Sequence, residues 1–94
     1  MQEQYVAQTV CQDEEGRPHT FHYYITTDQI PMGRFICEHY GVRVEHSHGA
    51  SAELRCITCS RSQLERLLAA LVRNAVSPTD LPYVVEDWLQ IPHR

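Results

Sequence analysis

The apolar residues of this chain change their repeat once, close to residue 59, from a period of two to a period of 3.6. A strand buries alternate side chains, whereas a helix buries positions i, i+3, i+4 and i+7. A chain that runs through all its strands first and then turns to helices cannot be assembled from βαβ units. It reads as α+β, with an antiparallel sheet formed before the helices are laid on it.

On the strand side of the switch, Tyr5 to Cys11 alternates and ends at Asp13-Glu14-Glu15-Gly16-Arg17-Pro18, a cluster of turn formers. The β-prone run Phe21-His22-Tyr23-Tyr24-Ile25-Thr26 follows, pairing back as a hairpin. Phe21, Tyr23 and Ile25 then share one face, with His22, Tyr24 and Thr26 on the other. Gln29 to Gly33 reads as a connection, because it holds both Pro31 and Gly33. A third strand spans Arg34 to about His46, and Gly41 interrupts its alternation in the manner of a bulge. After the polar loop Ser47 to Ser51, a fourth strand from Ala52 to Thr58 sets Leu54 and Cys56 on one face and Ile57 on the other.

On the helical side, Leu64, Leu67, Leu68, Leu71 and Ala75 form one stripe. Ser60 with Gln63, or Ser62 with Glu65, supplies a capping box, and Asn74 a C-terminal cap. Ser77-Pro78 resembles a second N-cap with Pro at the first helical position, and Pro82 still lies within the first turn. Leu81, Val84, Val85, Trp88 and Leu89 make the second stripe. The expectation is one domain over residues 1–94: a four-stranded antiparallel meander over about 5–58, then helices over about 61–75 and 79–90 packed on one face.

At 94 residues the chain has room for one core, and burial at this length is modest enough that association would help it. The first residues carry neither a basic stretch nor an apolar core of the kind that makes a signal peptide. No run approaches the ~18 apolar residues of a membrane span. A cytoplasmic location with four reduced cysteines is therefore expected. Net charge is −4, and all eight basic side chains are Arg. The absence of Lys removes Schiff-base chemistry and a phosphate-loop lysine. The acidic balance argues against nucleic acid and against an anionic membrane as partners.

The string Val76-Ser77-Pro78-Thr79-Asp80-Leu81-Pro82-Tyr83-Val84-Val85-Glu86-Asp87-Trp88-Leu89, with Tyr40-Gly41-Val42 and Ile57-Thr58 before it, resembles a family of short Firmicutes proteins known only as a domain of unknown function. The resemblance spans roughly Tyr40 to Leu89. It implies a bacterial, cytosolic protein and transfers no catalytic residue.

Chemistry-bearing residues are few. Cys56-Ile57-Thr58-Cys59 has the spacing of a redox dithiol, but that chemistry expects a strand–helix unit in a parallel sheet, and on a strand the two thiols diverge. His46 and His48 with Cys56 and Cys59 offer two imidazoles and two thiolates, the donor set of a tetrahedral zinc site, though the spacing fits no common finger. Cys37 and His39 could substitute. Phe21 to Tyr24 could stack single-stranded RNA, yet aromatics alternating on a strand more often fill a core. A DNA-reading second helix is excluded by Asp80, Glu86 and Asp87, which would face phosphate. Glu86 and Asp87 oppose the helix dipole, which calls for compensation by Arg61, Arg66 or Arg73 or for a basic partner. The reading that emerges is a non-enzymatic interaction or regulatory module without cofactor. It would contact a protein partner or a second copy through Glu86, Asp87, His22 and Tyr24. The second reading is a small zinc-binding protein using Cys56, Cys59, His46 and His48.

Overall fold

The computed structural model describes residues 1–91. Its elements are β1 (Gln2–Gln12), β2 (Pro18–Met32), β3 (Phe35–His46), β4 (Ser51–Thr58), α1 (Arg61–Arg73) and α2 (Leu81–Gln90). The strands pair antiparallel in the order β1-β2-β3-β4. This is the α+β meander that the single change of period requires.

One face of the sheet carries Phe21, Tyr23, Ile25, Val42 and Val44, all buried. They meet Leu64, Leu67, Leu68 and Leu71 of α1, together with Leu81 and Val85 of α2. Each such side chain contributes about 1.5–3 kcal/mol relative to exposure. Leu89, assigned by its spacing to the α2 stripe, is exposed instead, because α2 ends one residue later and the core beneath it stops at Val85 and Trp88.

Ser60 caps α1, its hydroxyl accepting from the Gln63 N–H at 3.3 Å. Asn74 is the C-cap, and Ala75 beyond it takes φ of 49°. The Val76 N–H reaches Leu71 O at 3.0 Å and the Ala75 N–H reaches Val72 O at 3.2 Å, the Schellman pair of bonds, so the helix ends at Arg73 and not at 75. The sheet then holds this helix end from below. Tyr23 Oη donates to Val76 O at 3.0 Å and Thr9 Oγ1 to Val72 O at 2.9 Å. Burial pushes the Tyr23 phenol up to about 12. The second helix starts at Leu81 rather than 79: Ser77 organises a turn in which its hydroxyl accepts from the Asp80 N–H, and Pro82 occupies the first turn of the helix proper.

Two departures from simple alternation reshape the sheet. At Gly41 the β3–β4 register moves from Tyr40↔Thr58 to Val42↔Leu54, so three residues of β4 stand opposite one of β3. The bulge therefore lies in β4, with Gly41 as its seat. Cys56 adopts φ of 58° there. The bulge inverts the expected faces: Leu54 and Ile57 both pack on the core, and Cys56 is exposed. Added to Gly41, a Cβ would lie 2.2 Å from Leu54 O and 2.7 Å from the Arg55 Cα.

The second departure is at residues 29–33. They are strand, not connection: β2 continues through Pro31 to Met32, and only Gly33 and Arg34 turn the chain, with Gly33 at φ of 63°. Proline is tolerated because no third strand needs its missing N–H. The outermost β1 pair is Gln2↔Thr27 and the outermost β4 pair is Tyr40↔Thr58. Beyond both, the five pairs from Asp28↔His39 to Met32↔Phe35 stand alone as a two-stranded arm about 17 Å long. The molecule measures 54 × 27 × 17 Å with a radius of gyration of 14.2 Å. A compact chain of this length would have about 12.4 Å.

Two substitutions test these backbone features. Gly41→Ala forces β3 and β4 apart and should cost at least about 3 kcal/mol in a denaturant titration; a loss under 1 kcal/mol would mean the close approach is not required. Ala75→Gly relieves a side chain from the left-handed region and should stabilise by about 0.5–1 kcal/mol, a rise of about 3–6 °C in Tm.

Candidate functional site

Three surfaces carry chemistry: an imidazole chain at one end of the sheet, a polar–aromatic layer on the face away from the helices, and the apolar arm at the opposite end.

The imidazole chain begins in the β1–β2 turn. One oxygen of Asp13 accepts the Glu15 and Arg17 N–H groups at 2.9 Å each, and the other lies 3.0 Å from His19 Nε2. His19 Nδ1 lies 2.8 Å from His46 Nε2, and His46 Nδ1 accepts the His48 backbone N–H at 3.0 Å. These contacts assign the protons. His46 Nδ1 must be bare, so its proton sits on Nε2 and is donated to His19 Nδ1; the His19 proton sits on Nε2 and is donated to Asp13. Both rings are then neutral, and all four ring nitrogens are engaged. A proton added to Nδ1 of His46 would point at the His48 N–H. Burial first, then neighbouring His48 and His19, hold His46 below the ordinary imidazole range. The His19 hydrogen bond holds Asp13 below the usual carboxylate range. The chain borders an open depression of about 330 Å³ lined also by Cys11, Phe21, Ala50, Ser77, Pro78 and Thr79. Cys11 is the cross-strand partner of His19, but no imidazole nitrogen of this pair is left to take a proton from its thiol or from a substrate. The arrangement ties the two hairpin turns together.

His22 and Tyr24 lie on the other face, as alternation requires. Their surroundings are already furnished. Tyr24 is covered by the Arg43 guanidinium 4.0 Å above its ring and by the edge of Tyr5. His22 lies 3.3 Å from the Tyr5 hydroxyl and 3.2 Å from Ser47 Oγ. Arg43 pairs with Glu3 at 2.9 Å and Glu45 at 2.8 Å.

Glu86 and Asp87 are exposed on α2 and form no ion pair among the described residues; Arg61 pairs with Glu65 on its own helix. The four residues of the zinc reading are not brought together. His46 and His48 stand before β4 and Cys56 and Cys59 at its far end, so most of an eight-residue strand, about 25 Å long, separates them. Both cysteines are exposed, and Cys56 Sγ lies 3.8 Å from Asp28 Oδ2. Among the described residues no group of three or more His, Cys, Asp or Glu could hold a metal ion. Also among them, no helix is long and apolar enough to cross a membrane.

The arm is the surface that sequence reading missed. Its base is fixed: Arg55, carried over the outer face by the β4 bulge, makes a two-pronged bond to Asp28, with Nε at 3.0 Å from Oδ2. That hydrogen bond holds the Asp28 carboxyl low. Tyr40 Oη donates to Glu38 at 2.8 Å on the opposite face. Beyond this base the tip is bare and apolar. Met32 is 58%, Phe35 78% and Ile36 66% exposed. The legible signal was Phe35-Ile36, two adjacent apolar residues straight after Gly33-Arg34; on a half-buried strand one of them should have been polar.

Together these features define a small α+β protein, a four-stranded meander roofed by two helices with a protruding β-arm. A family model described as a family of unknown function (DUF6514) matches residues 2–91, and the chain belongs to that family. No curated protein and no solved structure matches it significantly.

The imidazole chain sets a pH dependence. The folded pKa of His46 lies below its unfolded value of 6.5, so the folded state binds fewer protons. Its contribution is complete above about pH 6.5 and is lost as pH falls toward the folded pKa. Unfolding free energy should thus decline from pH 6.5 downward, and more shallowly in His46→Gln. Equal slopes in the two proteins would show that His46 is not held neutral by the fold.

Proposed function

We propose that this chain is a non-enzymatic protein-interaction module of the bacterial cytoplasm that uses the β2–β3 arm as its contact surface. The observation carrying this reading is the tip: three large apolar side chains, each more than half exposed, on a strand pair that its own sheet does not cover. Exposed apolar surface gathered in one place marks an interaction site more often than scattered residues do. A two-stranded ribbon alone in water is marginally stable, so a fixed arm of this kind gains most by being covered. The rigid base supplied by Asp28 and Arg55 lowers the ordering cost of that contact.

Glu86 and Asp87 remain a second contact surface within the same reading, for a basic partner, since nothing among the described residues neutralises them. His22 and Tyr24 are weaker candidates, because Arg43 and Tyr5 already cover Tyr24.

A photo-crosslinking phenylalanine placed at position 35, and in separate proteins at Glu86 and Tyr24, separates these surfaces in living cells. Position 35 should yield a discrete adduct of defined mass, another copy or a different protein. Adducts only from position 86 would move the contact to α2, and none from any position would remove the interaction reading.

A further inference from the structure

Between β1 and α1 lies an open apolar groove of about 500 Å³. Val6 and Ala7 form its floor and Leu68, Ala69 and Val72 its wall. Val6 is the extra residue where β1 slips between Tyr5 and Ala7, which tips it toward the open edge of the sheet. Arg61 and Glu65 rim one end and Arg73 the other.

We propose that this groove receives the arm tip of a second copy of the chain, the two copies exchanging arms about a two-fold axis. The inference rests on the arm being a contact surface and names its partner. Four observations lead to it. First, arm and groove are both apolar and both uncovered by any described segment, so one molecule carries both halves of a contact. Second, the arm cannot reach its own groove. It is a straight continuation of β2 and β3 leaving the sheet past Gln2↔Thr27, and the Arg55–Asp28 bond fixes it there, while the groove lies back along β1 at Val6 and Ala7. Third, the charges are complementary. Arg61 and Glu65 neutralise each other at one end of the groove, whereas Arg73 at the other forms no ion pair among the described residues and is matched in sign by Glu38 of the arm. Fourth, the area suits a weak dimer. Met32 and Phe35 lie on one face of the arm and Ile36 on the other, so one groove seats two of them. At about 100 Å² each, with the walls that receive them and counted for both copies, they bury roughly 800 Å², the range of a transient contact. Reciprocal exchange closes on itself, so the product is a dimer rather than a filament.

Sedimentation velocity of the full chain, raised to roughly 100 μM, tests this with two variants. Phe35→Asp removes the anchor and Ala69→Arg blocks the groove wall; both positions are exposed, so circular dichroism and melting should match the wild type. Each variant alone should weaken dimerisation at least about 30-fold. Mixed together they should form a heterodimer of intermediate affinity, because the arm of Ala69→Arg still finds the groove of Phe35→Asp. A wild type that stays monomeric, or that forms a ladder of larger species, overturns the exchange. If only Phe35→Asp dissociates the dimer and mixing restores nothing, the arm is a contact surface but the groove is not its receptor. If neither variant changes a wild-type dimer, arm and groove both fall as its interface.

Discussion

Everything distinctive in this molecule turns on the contact between the backbones of β3 and β4 at Gly41. Any side chain there would enter the space of Leu54 O and the Arg55 Cα. Because glycine leaves that space empty, β4 can carry extra residues across the outer face of the sheet. The bulge turns both Leu54 and Ile57 inward, which widens the apolar floor on which α1 sits. It also places Arg55 over Asp28 and ends the β3–β4 pairing at Tyr40↔Thr58. The arm therefore starts at a clamped residue pair rather than fraying from the sheet.

The two ends of the sheet are built on opposite principles. At the turn end, polar groups satisfy one another completely: Asp13, His19, His46 and the His48 backbone form one closed chain of hydrogen bonds. A half-exposed network of this kind ties two turns together when every member is paired. At the arm end the base is paired and the tip is not, since its apolar side chains are more than half exposed among the described residues. The molecule thus has one end where polar groups are paired with one another and one where apolar side chains stay in solvent.

The helices are held by caps and by the sheet more than by their length. α1 has 13 residues and α2 has 10, short for helices in isolation. Thr9 donates to Val72 O in the last turn of α1, a carbonyl that the Ala75 N–H also reaches, and Tyr23 donates to Val76 O just beyond the helix. Those residues couple the strand and helical halves through specific bonds as well as through apolar contact.

Local chemistry determined much of this in advance. The change of period set the order of strands and helices, alternation set Phe21, Tyr23 and Ile25 against the core, and Ser60 marked the start of α1. Gly41 was visible as an interruption, but which strand would bulge was not, because that depends on the backbone lying opposite it. The same limit hid the imidazole chain. Asp13 and His19 flank one turn and His46 borders another, and only the register Phe21↔His46 brings the two turns within hydrogen-bonding distance. It hid the arm as well. Pro31 and Gly33 read as a connection because local propensity cannot count how many strands flank a position. Only the tertiary structure shows that β1 and β4 stop short, leaving Phe35 and Ile36 in solvent.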